Sequence, residues 1–124
     1  MISIAQRSPT DIQIRTFDFG VRVIRLVDKL PRTLAAMEIG KQLLRSGTSV
    51  GANVQEADAA ESRSDFIHEM SIALKEARES RYWLGLVDVA ILPANEEVKT
   101  LIQESTELTK ILFTIIANAR KARR

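Results

Sequence analysis

The sequence has no cysteine, and this absence excludes several classes of protein at once. Without thiols there is neither a disulfide framework nor a thiolate metal site, which suits a reducing compartment. No apolar run approaches the roughly 20 residues that a membrane span needs, and the first residues do not resemble a signal peptide. We therefore expect a soluble, cytoplasmic protein with no membrane partner.

Histidine is almost as scarce, and its scarcity argues against an enzyme. His68 is the only histidine, whereas zinc needs three or four ligands and a general base needs an oriented partner. The Glu-x-x-His pairs of di-iron bundles are missing. Gly47-Thr48-Ser49-Val50-Gly51 matches the string G-x-S-x-G, but it follows no predicted strand, as the strand-turn-helix setting of a nucleophilic serine requires. Glu76 and Glu79 are interpreted as solvated partners of Lys75 and Arg78. We predict a non-catalytic protein with no metal, no cofactor and no small-molecule substrate.

Helix breakers are few, since three prolines and five glycines divide long stretches of helix-forming residues. Pro31 and Pro93 should end helices, because proline lacks a backbone N–H. Side chains suited to cap a first helical turn precede three of the helices: Thr10 or Asp11, Ser62 or Ser64, and Asn95. The predicted helices span about residues 11–30, 33–60, 64–92 and 96–120.

The short connections between these helices indicate the architecture. Loops of about two to five residues oblige consecutive helices to fold back on one another. A chain of 124 residues suits one domain and leaves no room for a second. The predicted fold class is all-α: a single domain, residues 1–124, forming an antiparallel up-down-up-down four-helix bundle.

Apolar residues are more numerous on two helices than a bundle core requires. Helix four carries one ordinary stripe from Val98 to Ala119, but apolar residues cover roughly two-thirds of the circumference of helix one. Helix three has a second apolar face beside its core stripe. This surplus indicates either a helix that is central in the monomer or self-association, and we predict a homo-oligomer. The predicted interface residues are Ile72, Trp83, Leu86 and Val87.

Basic residues form local clusters although the net charge is only +2. Four of them share the polar arc of helix one: Arg15, Arg22, Arg25 and Lys29. A second cluster ends the chain: Arg120, Lys121, Arg123 and Arg124. The tail is interpreted either as a solubilising helix end that complements the helix dipole or as a phosphate contact. Together with Arg45, these residues are the candidate nucleic-acid contacts.

Helix two combines glycines with a polar stripe. Gly40, Gly47 and Gly51 fall on one side, and close helix packing explains them better than a P-loop, whose Gly-Lys-Ser/Thr order is missing. The opposite face aligns Arg45 with three further polar residues: Ser49, Asn53 and Glu56. That stripe is interpreted either as structural, through caps, hydrogen bonds or salt bridges, or as recognition of a polar ligand such as RNA.

A resemblance to a known family lies in residues 44–85. The residues that carry it occur in this order: Arg45-Ser46-Gly47, Ser49-Val50-Gly51-Ala52-Asn53, Glu56, Ser64-Asp65-Phe66 and Ser71-Ile72-Ala73-Leu74. This order resembles the four-helix bundle proteins encoded in intervening sequences of bacterial 23S ribosomal RNA genes. The sequence departs from the commoner pattern at Ala57, where many relatives have glycine.

The resemblance implies more than the periodicity does. Members look like antiparallel bundles that assemble into rings, as pentamers, and a related branch comprises the nucleic-acid-binding accessory proteins of diversity-generating retroelements. By analogy we expect a ring-forming homo-oligomer of five subunits. Two hypotheses on function follow: a non-catalytic bundle associated with structured RNA or other nucleic acid, or a purely protein-binding homo-oligomeric scaffold.

Overall fold

Four α-helices make up the chain in the computed structural model, which describes residues 11 to 122. The helices are α1 (Ile12–Asp28), α2 (Leu34–Asp58), α3 (Arg63–Leu86) and α4 (Glu96–Lys121). No strand occurs between residues 11 and 122, so the all-α class is confirmed. The predicted ends lie close to the observed ones, except at the end of α3.

A polar side chain caps the first turn of each helix, and this explains where the helices begin. The cap of the third helix is Ser62 rather than Ser64. The cap of the first helix is Asp11, and the alternative Thr10 lies outside the described residues. Each cap accepts a hydrogen bond from a backbone N–H: Asp11 from Gln13 at 2.7 Å, Thr33 from Ala36 at 3.2 Å, Ser62 from Asp65 at 3.0 Å and Asn95 from Val98 at 3.0 Å.

The end of α3 differs from the prediction of a helix to residue 92. The α-helix ends at Leu86, and a π turn continues it over Val87–Ile91. The backbone N–H of Leu92 donates to the carbonyl of Val87 at 2.8 Å, which is the five-residue spacing of a π-helix. Pro93 then stops the helix, and Ala94 takes a left-handed conformation with φ of 62°.

All four helices contribute to one apolar core, which fits a single domain. Its largest fully buried side chains are Phe19, Val23, Leu43, Val50, Met70, Leu84, Val87, Val98, Leu101, Leu108 and Leu112. Burying a large apolar side chain contributes about 1.5–3 kcal/mol, so this core dominates the stability of the fold.

None of the helices described between residues 11 and 122 combines the length and the apolar character of a membrane span.

Neighbouring helices do not share equal contacts. The pairs α1 and α2, α2 and α3, and α3 and α4 pack along their lengths, whereas α1 and α4 share a much smaller contact. Across the last pair, Arg15 reaches Glu104 and Arg22 reaches Glu97. We call this contact the α1–α4 seam.

Two glycines of α2 let its backbone approach α1 closely. A Cβ atom at Gly47 would lie 2.8 Å from one methyl group of Val23 and 2.9 Å from the other. A Cβ at Gly51 would lie 3.1 Å from the carbonyl oxygen of Thr16. The interpretation of the α2 glycines as close-packing positions is therefore correct at these two residues.

Candidate nucleic-acid interface

Arg15, a predicted phosphate contact, is instead bound inside the α1–α4 seam. Its guanidinium donates two hydrogen bonds to Glu104, from Nε at 3.1 Å and from Nη2 at 2.7 Å. These bonds are the main reason that the pKa of Arg15 is raised; partial burial opposes the shift, and the charges of Glu104 and Glu107 add to it. The pair joins α1 to α4, and the charge of Arg15 is compensated within the bundle.

The other three basic residues of α1 line a cleft, which we call the α1 basic cleft. Arg22 is partly buried; its Nε lies 3.4 Å from Glu97, and Nη1 lies 3.9 Å from Asp18. Arg25 and Lys29 are exposed, and neither has an ion pair with any residue from 11 to 122. The cleft has a volume of about 370 Å³, and its lining residues are Arg22, Arg25, Leu26, Lys29, Leu92, Asn95 and Glu97.

Arg45 also has carboxylate partners, on α3. Its Nη1 lies 3.2 Å from Glu76, and its Nη2 is bound to Glu79, which also accepts a hydrogen bond from Nε1 of Trp83 at 3.2 Å. The prediction that Glu76 and Glu79 are partners of Lys75 and Arg78 is therefore wrong. The sequence could not reveal this because the partners lie about one helix away in the chain.

The polar stripe of α2 is largely satisfied by its own backbone. The hydroxyl of Ser49 donates to the carbonyl of Arg45 at 2.7 Å, and the amide of Asn53 donates to the carbonyl of Ser49 at 2.8 Å. Glu56 is exposed and makes no ion pair within the described part of the chain. These contacts favour the structural interpretation of the stripe.

The C-terminal basic cluster is only partly covered by the structure. Arg120 and Lys121 are exposed at the end of α4, while Arg123 and Arg124 lie outside the described residues. Arg120 lines a groove between α3 and α4 together with Arg78 and Phe113. Sequence reasoning missed the last two. The signal was present, because Phe113 and Arg120 lie seven residues apart, on one face of a helix.

Exposed apolar side chains are concentrated between α1 and α2. We call this surface the α1–α2 apolar face, defined by Phe17, Val21, Ile24, Met37 and Leu44, which line two adjoining grooves of about 210 and 260 Å³. Phe17 is 57% exposed and Ile24 44% exposed. The predicted surplus on helix one is therefore present, and part of α2 extends it.

The predicted interface on helix three is less accessible. Ile72, Trp83 and Leu86 are half-buried, and Trp83 packs edge-on against Tyr82 with ring centroids 5.1 Å apart. Val87 is 0% exposed because it belongs to the core of the monomer. Val87 is thus unavailable to a partner subunit, and its assignment to the interface was wrong.

The described part of the chain offers no cluster of side chains suited to a metal ion. His68 is exposed, and no group of three or more His, Asp or Glu residues there could hold a metal ion.

The model of the 23S rRNA-intervening sequence protein family matches residues 10–114 of this sequence. The chain belongs to this family. A crystal structure from Bacteroides thetaiotaomicron, of a protein with unknown function from the S23 ribosomal protein family, is similar: 40% identical, with a TM-score of 0.79, over 86% of this chain and 98% of that one. No protein with a curated description matches. Membership of the 23S rRNA-intervening sequence protein family confirms the resemblance carried by residues 44–85.

Proposed function

We propose that this member of the family is a non-catalytic, nucleic-acid-associated bundle that works as a homo-oligomer. The α1 basic cleft carries the proposal. Three cations, Arg22, Arg25 and Lys29, line it beside the single carboxylate of Glu97. An excess of positive charge attracts phosphate groups, and displaced counterions favour their binding.

Structured RNA is the proposed ligand, bound without marked sequence preference. Arg25 and Lys29 project from the end of α1 with no carboxylate partner in residues 11–122, so their charges are available to a polyanion. Contacts to phosphate fix position but do not read bases. If several subunits assemble, the cleft is repeated, and weak single contacts combine into a higher avidity.

Changing Arg25 and Lys29 together to glutamine tests this proposal. We expect weaker binding to a labelled RNA hairpin, and the slope of log K against log salt should flatten by about 2, because each phosphate contact contributes about 0.9 to the slope. Fluorescence anisotropy over a salt series measures both quantities.

The matched control removes the same charge elsewhere. Lys41 and Lys99 are exposed, but each has a carboxylate partner, Glu38 at 3.3 Å and Asp88 at 3.4 Å. Changing this pair to glutamine should alter the slope much less. If wild-type protein, stripped of bound nucleic acid, binds neither RNA nor DNA at low salt, the proposal is wrong.

The proposed arrangement within each subunit is an up-down-up-down bundle. Contacts between neighbouring helices support it, because residue numbers that increase along one helix decrease along the stretch of the next helix that faces it. Gly20 lies near Gly47 and Thr48, whereas Thr16 lies near Gly51.

A second copy of this chain is the proposed occupant of the α1–α2 apolar face. The face combines two adjoining grooves with projecting apolar side chains, and exposed apolar patches of this kind often mark protein contacts. The proposed assembly is a ring of five subunits, by analogy with the family resemblance. Trp83, Ile72 and Leu86 would lie at a secondary contact.

The alternative is a protein-binding scaffold without a nucleic-acid role. One observation favours it: Arg15, Arg22 and Arg45, all predicted nucleic-acid contacts, have carboxylate partners in the monomer. If this alternative holds, the oligomer forms but the wild-type protein does not bind RNA. Changing Arg25 and Lys29 to glutamine then has no effect on RNA binding.

A further inference from the structure

The groove between α3 and α4 places an exposed aromatic ring among basic side chains. Its lining residues are Ser71, Leu74, Arg78, Phe113, Ile116, Ala117 and Arg120. Two of its apolar members, Leu74 and Ile116, are buried. Phe113 is 58% exposed, although a phenyl ring could readily be buried in a bundle of this size.

The charges of the groove are free. Within residues 11–122, neither Arg78 nor Arg120 has an ion pair or side-chain hydrogen bond, and no carboxylate lines the groove. This distinguishes them from Arg15 and Arg45, whose guanidinium groups are held by glutamates. The groove thus offers an aromatic face together with two uncompensated positive charges.

This combination selects among possible occupants. A second copy presenting the same groove would bring arginine against arginine, and like charges disfavour that contact. A drug-sized ligand usually fills about 300–1,000 Å³, whereas the groove measures about 160 Å³. A single nucleic-acid strand satisfies both features, because each base has a π face and each linkage has a phosphate.

We infer that the α3–α4 groove binds a single-stranded segment of nucleic acid, with one base stacked on Phe113 and the flanking phosphates held by Arg78 and Arg120. The inference rests on the proposed association with nucleic acid and adds a second site with a different mode of binding. A duplex keeps its bases stacked internally, so it can use the two arginines but not the ring.

Phe113→Leu is the informative variant, because leucine keeps apolar bulk and loses the aromatic face. Val89→Ala is the control: Val89 is also an exposed apolar residue, at 80%, but it lies outside the α3–α4 groove, the α1 basic cleft and the α1–α2 apolar face. The probes are a labelled oligouridylate of about 12 nucleotides, the oligothymidylate of equal length, and an RNA duplex. Affinities are measured by anisotropy on the full chain at low salt.

Phe113→Leu should weaken binding of the single-stranded probes about tenfold, in line with the loss of one stacked base. Phe113→Leu should change duplex binding less than about twofold, and Val89→Ala should change the binding of every probe less than about twofold. Changing Arg78 and Arg120 together to glutamine should flatten the salt slope for single strands by about 1.4, at about 0.7 per contact. Circular dichroism should show unchanged helicity, because Phe113 is exposed.

The results separate this inference from the proposed function. If wild-type protein binds the RNA hairpin, but Phe113→Leu leaves single-strand binding unchanged or weakens all probes equally, the stacking site is wrong while the association with nucleic acid stands. If wild-type protein binds no probe at all, both fail. Equal binding of the two oligonucleotides, or stronger binding of the RNA, agrees with the inference, provided that Phe113→Leu weakens the binding of at least one of them.

Discussion

Alanine at position 47 should destabilise the protein by about 2 kcal/mol, although alanine is normally favoured over glycine in a helix by about 1 kcal/mol. The added Cβ would lie 2.8 and 2.9 Å from the two γ-methyl groups of Val23. Val23 is fully buried, and its β-branched side chain is stiff, so it cannot rotate aside without a clash. Either α1 and α2 must separate or the core must deform.

Urea unfolding of Gly47→Ala measures this effect, and Gly85→Ala is the matched control. A Cβ at Gly85 would meet no atom within 4 Å, so that change should stabilise α3 by up to about 1 kcal/mol. Val23→Ala should partly relieve Gly47→Ala, giving a double mutant more stable than the sum of the single changes predicts. Equal stabilisation by both glycine substitutions would contradict the close approach of α1 and α2.

A glutamate at position 24 should dissociate the proposed oligomer. Ile24 belongs to the α1–α2 apolar face and is 44% exposed in the monomer, so the monomer tolerates a charge there. A subunit contact would bury that charge without a partner, and we expect association to weaken by about a hundredfold or more. Sedimentation velocity at micromolar concentration should show the mass falling toward that of a monomer, with helicity preserved.

Two further variants locate the contact. Val89→Glu is the control, because Val89 is 80% exposed and lies outside the face, and its mass should not change. Trp83→Glu tests the secondary contact on α3 and should have the smaller effect. A fall in mass with Trp83→Glu but not with Ile24→Glu would place the interface on α3 instead. A wild-type protein that sediments as a monomer would refute self-association.

Local chemistry explains why the helices could be predicted from the sequence. Asp11, Ser62 and Asn95 cap the first turns of their helices with their side chains. Pro31 and Pro93 lie in the breaks between helices. These signals act over a few residues, so they can be recognised without the fold. The core stripe of α4 was also predictable, because it depends only on the helical period.

The failures share a different origin. Val87 lies three residues after the buried Leu84, and its backbone N–H still bonds to Trp83 as in an α-helix. The helical period places it at the border between the core stripe and the second apolar face, so periodicity alone does not decide which of the two it joins. The ion pairs of Arg15 and Arg45 join residues on separate helices, and local patterns do not report such pairs. The meeting of Phe113 with Arg78 could not be predicted because the two residues lie on different helices, whereas the spacing of Phe113 and Arg120 on α4 was visible in the sequence.

The α1–α4 seam gives the bundle a preferred place to open. The other neighbouring pairs pack along their lengths, but this seam has a small contact that two ion pairs span, Arg15 with Glu104 and Arg22 with Glu97. Salt screens partly exposed charges and leaves apolar packing intact or stronger. Rising ionic strength should therefore accelerate amide hydrogen exchange in α1 and α4 relative to α2 and α3. We expect unfolding to begin with the separation of α1 from α4, which these ion pairs oppose.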